Sequence, residues 1–441
     1  MRSSMNSVAV LQIEEAPRDT KVHSAIARER GAQRLATAFV VTGLAFMLLP
    51  GTFLGVWNLI SISESRSVTT LSPAWIQAHG HAQIFGWIGT FILGIGLYSL
   101  QKMQHSAPFP LSRGWLCWAL WSTGVFLRWV TNIYAWHWRV LLPVSALLEV
   151  AAFVLFQRSL RRHRNPSGKA KSEAWMTLVL SSTFGFVASL IANLVLTVIV
   201  ALRNSGPAFP HGLDQRLLVL FTWGFLVLAI WGFNARWLPV FLGLRTPSEK
   251  GLTAALLINA VGVLAALLGF LKISALLLLT GAVVIILALH IFEAAQNPAK
   301  TLNIHASFPI FVRVAYGWLG IAALLTVWAT GADRNGGMWG ASRHALTVGF
   351  IAVMVFAIGQ RVLPAFCGMK ILFSPAIMLW SLVLLNAGCL LRVSSEIPAY
   401  EGYWRPAWHV LPISAVTELA AVTLFAINLL ISILRPMKRV A

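Results

Sequence analysis

Seven side chains sit in apolar company where a titratable or charged group has no ordinary use. His79 and His81 lie in WIQAHGHAQIFGWIGTFILGIGLY (75–98), and His344 opens HALTVGFIAVMVFAIG (344–359). Arg128, Glu149, Arg392 and Glu418 are the other four. An imidazole or an ion inside a bilayer is costly without a partner, so its default reading is functional. The two histidine stretches also repeat. Aligned without gaps, His81-Ala82 falls on His344-Ala345, an offset of 263, and Gly86, Ile88, Gly96 and Leu100 fall on Gly349, Ile351, Gly359 and Leu363. Two neutral imidazoles at matched depth on facing helices suit axial ligation of a haem. Gly86, Gly89, Gly94 and Gly96 would let a flat macrocycle or a neighbouring backbone come close. The plainer alternative is that the glycines pack helices and the imidazoles bond to carbonyls. His79 and His81, two residues apart, point about 200° apart on a helix, so they cannot share one metal. The repeat favours His81 as the partner of His344.

Arg128 and Glu149 fall at similar depth on antiparallel neighbours, and Arg392 and Glu418 repeat the arrangement. Intramembrane charges are expected to pair, so two ion pairs are predicted, Arg128–Glu149 and Arg392–Glu418. A guanidinium at Arg392 or Arg128 can also grip a haem propionate through bidentate hydrogen bonds. Arg236 and Arg361 lie farther inward and are expected to snorkel to headgroups. His211 and His409, at outer helix ends, are copper candidates set against plain interfacial solvation. His290 reads as a core residue, and His23, His105, His163 and His305 as solvated.

The elements that must position these groups are membrane helices. Hydrophobic residues make up 58% of the 441 and charged residues 11%, which excludes a soluble domain. Twelve apolar runs are long enough to span: 35–60, 76–100, 114–136, 138–160, 174–202, 215–243, 251–270, 272–293, 308–330, 341–366, 371–393 and 406–435. The boundary near 270 rests on Lys272 and Ser274 alone. The net charge of +20 is a topology signal, not a nucleic-acid patch. Arg2 to Arg34, the loop RSLRRHRNPSGKAKSE (158–173), Arg245, Lys250, Lys300, Lys370 and 435–439 all fall on one side, with Arg66, Arg203 and Arg334 on the other. That asymmetry predicts an inner (cytoplasmic) membrane protein with both termini cytoplasmic. Cys117, Cys367 and Cys389 form no CxxC and imply no disulfide framework.

The repeat extends further. GVFLRWVTNIYAW (124–136) matches GCLLRVSSEIPAY (388–400), and LLPVSALLEVAAFVLF (141–156) matches VLPISAVTELAAVTLF (410–425). A weaker copy, 217–244, matches 342–369 at an offset of 125, with Val219 at the histidine position. The prediction is an all-α membrane protein, with a cytoplasmic tail at 1–32 and a single twelve-helix domain at 33–437. That domain comprises three four-helix units, at about 33–163, 174–296 and 308–437.

Twelve spans in three such units, with ligands on the second and tenth helices, resemble subunit I of haem–copper oxidases. There the second helix carries an Ala-His-Gly-like ligand motif, here Ala78-His79-Gly80, and this selects His79. The chain is more similar to the NnrS family of haem- and copper-containing membrane proteins implicated in nitric oxide responses. That family's His-x-His-Glu-x-x-Phe-Gly corresponds to His79-Gly80-His81-Ala82-Gln83-Ile84-Phe85-Gly86, and its His-Ala-Leu-Thr-Val-Gly stands intact at 344–349. Ala82 replaces the acid, and Ala365-Phe366-Cys367-Gly368 stands where the family tends to show Gly-His-Thr-Gly, which puts copper in doubt. The resemblance implies a b-type haem near the periplasmic face, in redox or nitric oxide-linked physiology, with His344 and either His79 or His81 as iron ligands. Possible partners are the lipid bilayer, a redox protein and nitric oxide. Rival readings are a haem-free transporter with an Arg/Glu path and a divergent terminal oxidase; spans six and seven lack the histidines of an oxygen-reducing copper centre.

Overall fold

The computed structural model describes residues 18–103, 110–161, 173–299, 304–368 and 372–434. Among these it is helical throughout, with no strand. Twelve rods run in sequence: α1 (18–65), α2 (73–103), α3 (Leu111–Tyr134), α4 (Trp138–Arg161), α5 (Ala174–Arg203) and α6 (His211–Leu242), followed by α7 (Glu249–Leu267), α8 (Leu271–Ala288), α9 (Phe308–Ala332), α10 (Gly337–Phe366), α11 (Pro375–Tyr400) and α12 (Ala407–Leu434). Eleven are long and apolar enough to cross a membrane; α3, with Arg113, Arg128 and Asn132, is the more polar one. The chain is therefore a multi-pass membrane protein. The weak boundary near 270 is a real turn, made by Gly269 at φ +94° between α7 and α8. Helix α1 reaches back to Arg18, into the segment expected as a tail, while residues 1–17 lie outside the described residues.

A continuous apolar core joins the rods. Within it the hairpins α3–α4 and α11–α12 repeat one packing device. A Cβ on Gly124 would stand 2.8 Å from the Ser145 carbonyl and 2.9 Å from Glu149 Cγ. One on Gly388 would stand 3.2 Å from the Ser414 carbonyl and 2.6 Å from Glu418 Cγ. Glycine lets the glutamate-bearing rod press onto its neighbour at both places.

Three rods widen at the same point. Helix α2 changes from α to π over Ala82–Gly89, α6 over Leu220–Val227 and α10 over Ala345–Ala352. These eight-residue π turns obey the offsets of 263 and 125 found in the sequence. They begin directly after His81, Val219 and His344, so the middle unit keeps the turn without the histidine. π turns concentrate at functional sites. Helix α1 has one as well, Met47–Phe53, around Pro50, which lacks the N–H needed for α-helical bonding.

Of the four glycines expected to admit a flat ligand or a neighbouring backbone, three press against other helices. A Cβ on Gly86 would meet Phe46 and Val125, on Gly89 Trp121, and on Gly94 Phe39.

Candidate functional site

The outer segment of α2, Pro73–His81, aims its two histidines at different neighbours, as helical geometry requires. His79 faces α1. Its Nδ1 lies 2.9 Å from the Gly51 carbonyl, in the π turn of α1, and its ring lies close against Gly55. A carbonyl can only accept, so Nδ1 carries the proton and the neutral ring turns its lone pair to Nε2. That Nε2 makes no hydrogen bond to any described residue. Four residues on, Gln83 bonds Thr52 at 2.9 Å and holds the same two rods together.

His81 faces α4. Its Nε2 is 2.8 Å from Glu149 Oε1, both side chains are buried, and the ring stacks on Phe85 at 4.7 Å. The nitrogen that His79 leaves open is thus occupied in His81. This contact also corrects the expected Arg128–Glu149 ion pair: the imidazole, at matching depth, takes the carboxylate. Arg128 is buried over the Phe209 ring at 4.5 Å, with Nε and Nη1 unpartnered among the described residues. It stands near Glu149 and Asp214.

His344, at the end of the α segment that opens α10, shares the tautomer of His79, although its carbonyl partner lies one turn back on its own helix. Its Nδ1 donates to the Gly340 carbonyl at 2.9 Å, which leaves Nε2 as the lone-pair nitrogen. Glu396 Oε2 lies 3.1 Å from the same Nδ1, and Glu396 Oε1 is 3.2 Å from Arg392 Nη2. The predicted Arg392–Glu418 pair is therefore corrected too. Arg392 is answered one turn along its own helix, and Glu418 Oε1 is buried without a partner. Arg392 Nε and Nη1 are likewise buried and free of partners among the described residues. His79 lies close enough to His344 and Arg392 for their charges to bear on it.

The structure thus joins His344, Arg392 and Glu396 in one buried group, with His79 within electrostatic range of it, and pairs His81 separately with Glu149. Two imidazole Nε2 donors on separate rods, beside a guanidinium with spare buried donors, fit a flat, anionic, axially ligated cofactor. Sequence reasoning missed Glu396, Gly340, Gly51 and Gly55. The signal for Glu396 was present, since it stands four residues after Arg392.

His211 and His409 are both exposed, and no group of three or more His, Cys, Asp or Glu among the described residues could hold a metal ion. His290 bonds Glu293 at 2.9 Å and His305 bonds Ser307 at 2.8 Å. His105 and His163 lie outside the described residues. Arg236 is exposed beside Trp175, and Arg361 lies over Phe241 at 3.9 Å.

The model of one protein family, described as NnrS protein, matches residues 35–436, nearly the whole chain. No curated protein matches it.

Proposed function

The chain belongs to the NnrS family, and from that premise we propose that it is an integral haem protein of the cytoplasmic membrane. His79 and His344 would hold the iron of a b-type haem and Arg392 a propionate. The observation that carries this reading is the matched tautomer: on α2 and on α10, Nδ1 is committed to a backbone carbonyl and Nε2 is left as the donor. Such carbonyl bonds fix a ligand ring's orientation and raise its basicity. His81 and Arg128 then act elsewhere, His81 as the partner of Glu149. The excess of Lys and Arg in alternate loops supports cytoplasmic termini and a site toward the periplasm.

Haem would supply one-electron chemistry, which agrees with redox physiology; nitric oxide could reach the iron only by displacing one of the two imidazoles. The chain's own residues orient the imidazoles, exclude water and neutralise a propionate. Among the described residues no group of three or more His, Cys, Asp or Glu converges as copper ligands would, and no role is assigned to copper.

Haem extraction and absorption spectra of the purified protein test the proposal. A Soret band with a reduced b-type spectrum, and loss of the low-spin signature in His79→Ala and in His344→Ala, are expected. A colourless, haem-free preparation overturns it.

A further inference from the structure

We propose that Glu396 is the positioning residue of this site: its one carboxylate ties the imidazole of His344 to the guanidinium of Arg392, so that the ligand and the propionate anchor are held as a unit. The inference rests on the haem reading above and deepens it. Oε2 lies 3.1 Å from His344 Nδ1 and Oε1 lies 3.2 Å from Arg392 Nη2, with the carboxylate buried. The Nδ1 proton already goes to the Gly340 carbonyl, and Glu396 Oε2 has no hydrogen bond of its own. The imidazole proton therefore has a second acceptor waiting, and that acceptor is anionic. A carboxylate against the far nitrogen of a ligand imidazole makes the ring a stronger donor.

The repeat shows that this is not a leftover of packing. At the offsets that relate the first and third units, Glu396 corresponds to Asn132 and Gly340 to Gln77. In the first unit these positions do something else. Asn132 Nδ2 donates to the Ala74 and Pro207 carbonyls, and Gln77 grips both the N–H and the C=O of Phe209. Only the third unit pairs an acid with a glycine, and the glycine is what admits the acid: a Cβ on Gly340 would collide with Glu396 Oε1. One residue thus supplies both the carbonyl that holds His344 and the space that Glu396 fills.

The test compares Glu396→Gln with Glu418→Gln. Glu418 feels the same His344 and Arg392 charges without touching either, so it reports the general field. Expected for Glu396→Gln is a retained bis-imidazole spectrum with a raised midpoint potential. The shift should exceed that of Glu418→Gln, because a neutral amide makes His344 a weaker donor. A carboxylate band in the redox difference infrared spectrum should vanish in Glu396→Gln and persist in Glu418→Gln. If Glu396→Gln fails to fold, Gly340→Ala serves instead: it keeps the charge, displaces the carboxylate, and should alter the low-spin signal. Wild-type protein with haem, in which neither the Glu396→Gln potential and band nor the Gly340→Ala signal changes beyond the Glu418→Gln control, overturns this inference alone. Wild-type protein without haem overturns the haem reading and this inference with it.

Discussion

Gly55→Ala should loosen the haem although residue 55 bears no functional group. A Cβ there would stand 2.6 Å from His79 Cε1 and 2.8 Å from Nδ1, whereas ordinary contact begins at 3.4 Å. The ring must therefore retreat by about 0.8 Å (3.4 − 2.6) at Cε1 and about 0.6 Å (3.4 − 2.8) at Nδ1. It can do so only by straining the 2.9 Å bond to the Gly51 carbonyl that sets its tautomer. Overpacking of this kind costs about 1–3 kcal/mol, or roughly 5- to 160-fold in an equilibrium constant. The assay is the transfer of haem to a scavenging apo-globin, read from the Soret band. Gly80→Ala is the control, since it lies next to His79 on the same helix and a Cβ there meets nothing within 4 Å. It should hold haem as the wild type does, with up to ~1 kcal/mol of added helix stability. Haem retention in Gly55→Ala equal to wild type, or equal losses in the two variants, would refute the reasoning.

Three further outcomes are expected. Arg392→Ala should lose haem faster than Arg236→Ala in the same transfer assay, because Arg392 has buried spare donors beside His344 and Arg236 is exposed against Trp175; equal loss would point to a general folding defect. His81→Ala strands the buried Glu149 carboxylate and should lower thermal stability, by about 3–5 kcal/mol if the charge stays buried, yet the folded fraction should keep its two-imidazole spectrum. A reporter fused after Ala441 should be active in the cytoplasm; activity only in the periplasm would reverse the assigned topology.

The rods and their pseudo-repeat were legible in the sequence because hydrophobic length and a fixed offset survive divergence. The same alignment located the π turns without identifying them, since no residue type marks a wide turn the way proline marks a break. Depth was legible and rotation was not. Arg128 and Glu149 do lie near each other, but facing is decided by angle, and His81 has the better one. Glu396 was hidden by the repeat itself, which paired Arg392 with Glu418 and drew attention from an acid one helical turn away. Glycine roles could not be assigned either. Gly86 and Gly55 look alike in sequence, and only the structure shows that one receives Phe46 and the other an imidazole.

The wide turns have a consequence for how such a chain can change length. A π turn holds one residue more than the α turn it replaces, so deleting any one residue within Ala82–Gly89 could restore regular bonding without breaking the span. The half of α2 below the deletion would keep its facing, because the extra residue is what the wide turn absorbs. His79 and His81 would keep their partners, and so would Tyr98, whose hydroxyl donates to Glu29 at 2.6 Å. Single-residue deletions at the wide turns of α2, α6 or α10 would thus be absorbed where they fall, whereas the same deletion in a regular stretch would turn one half of the rod against the other by about 100°.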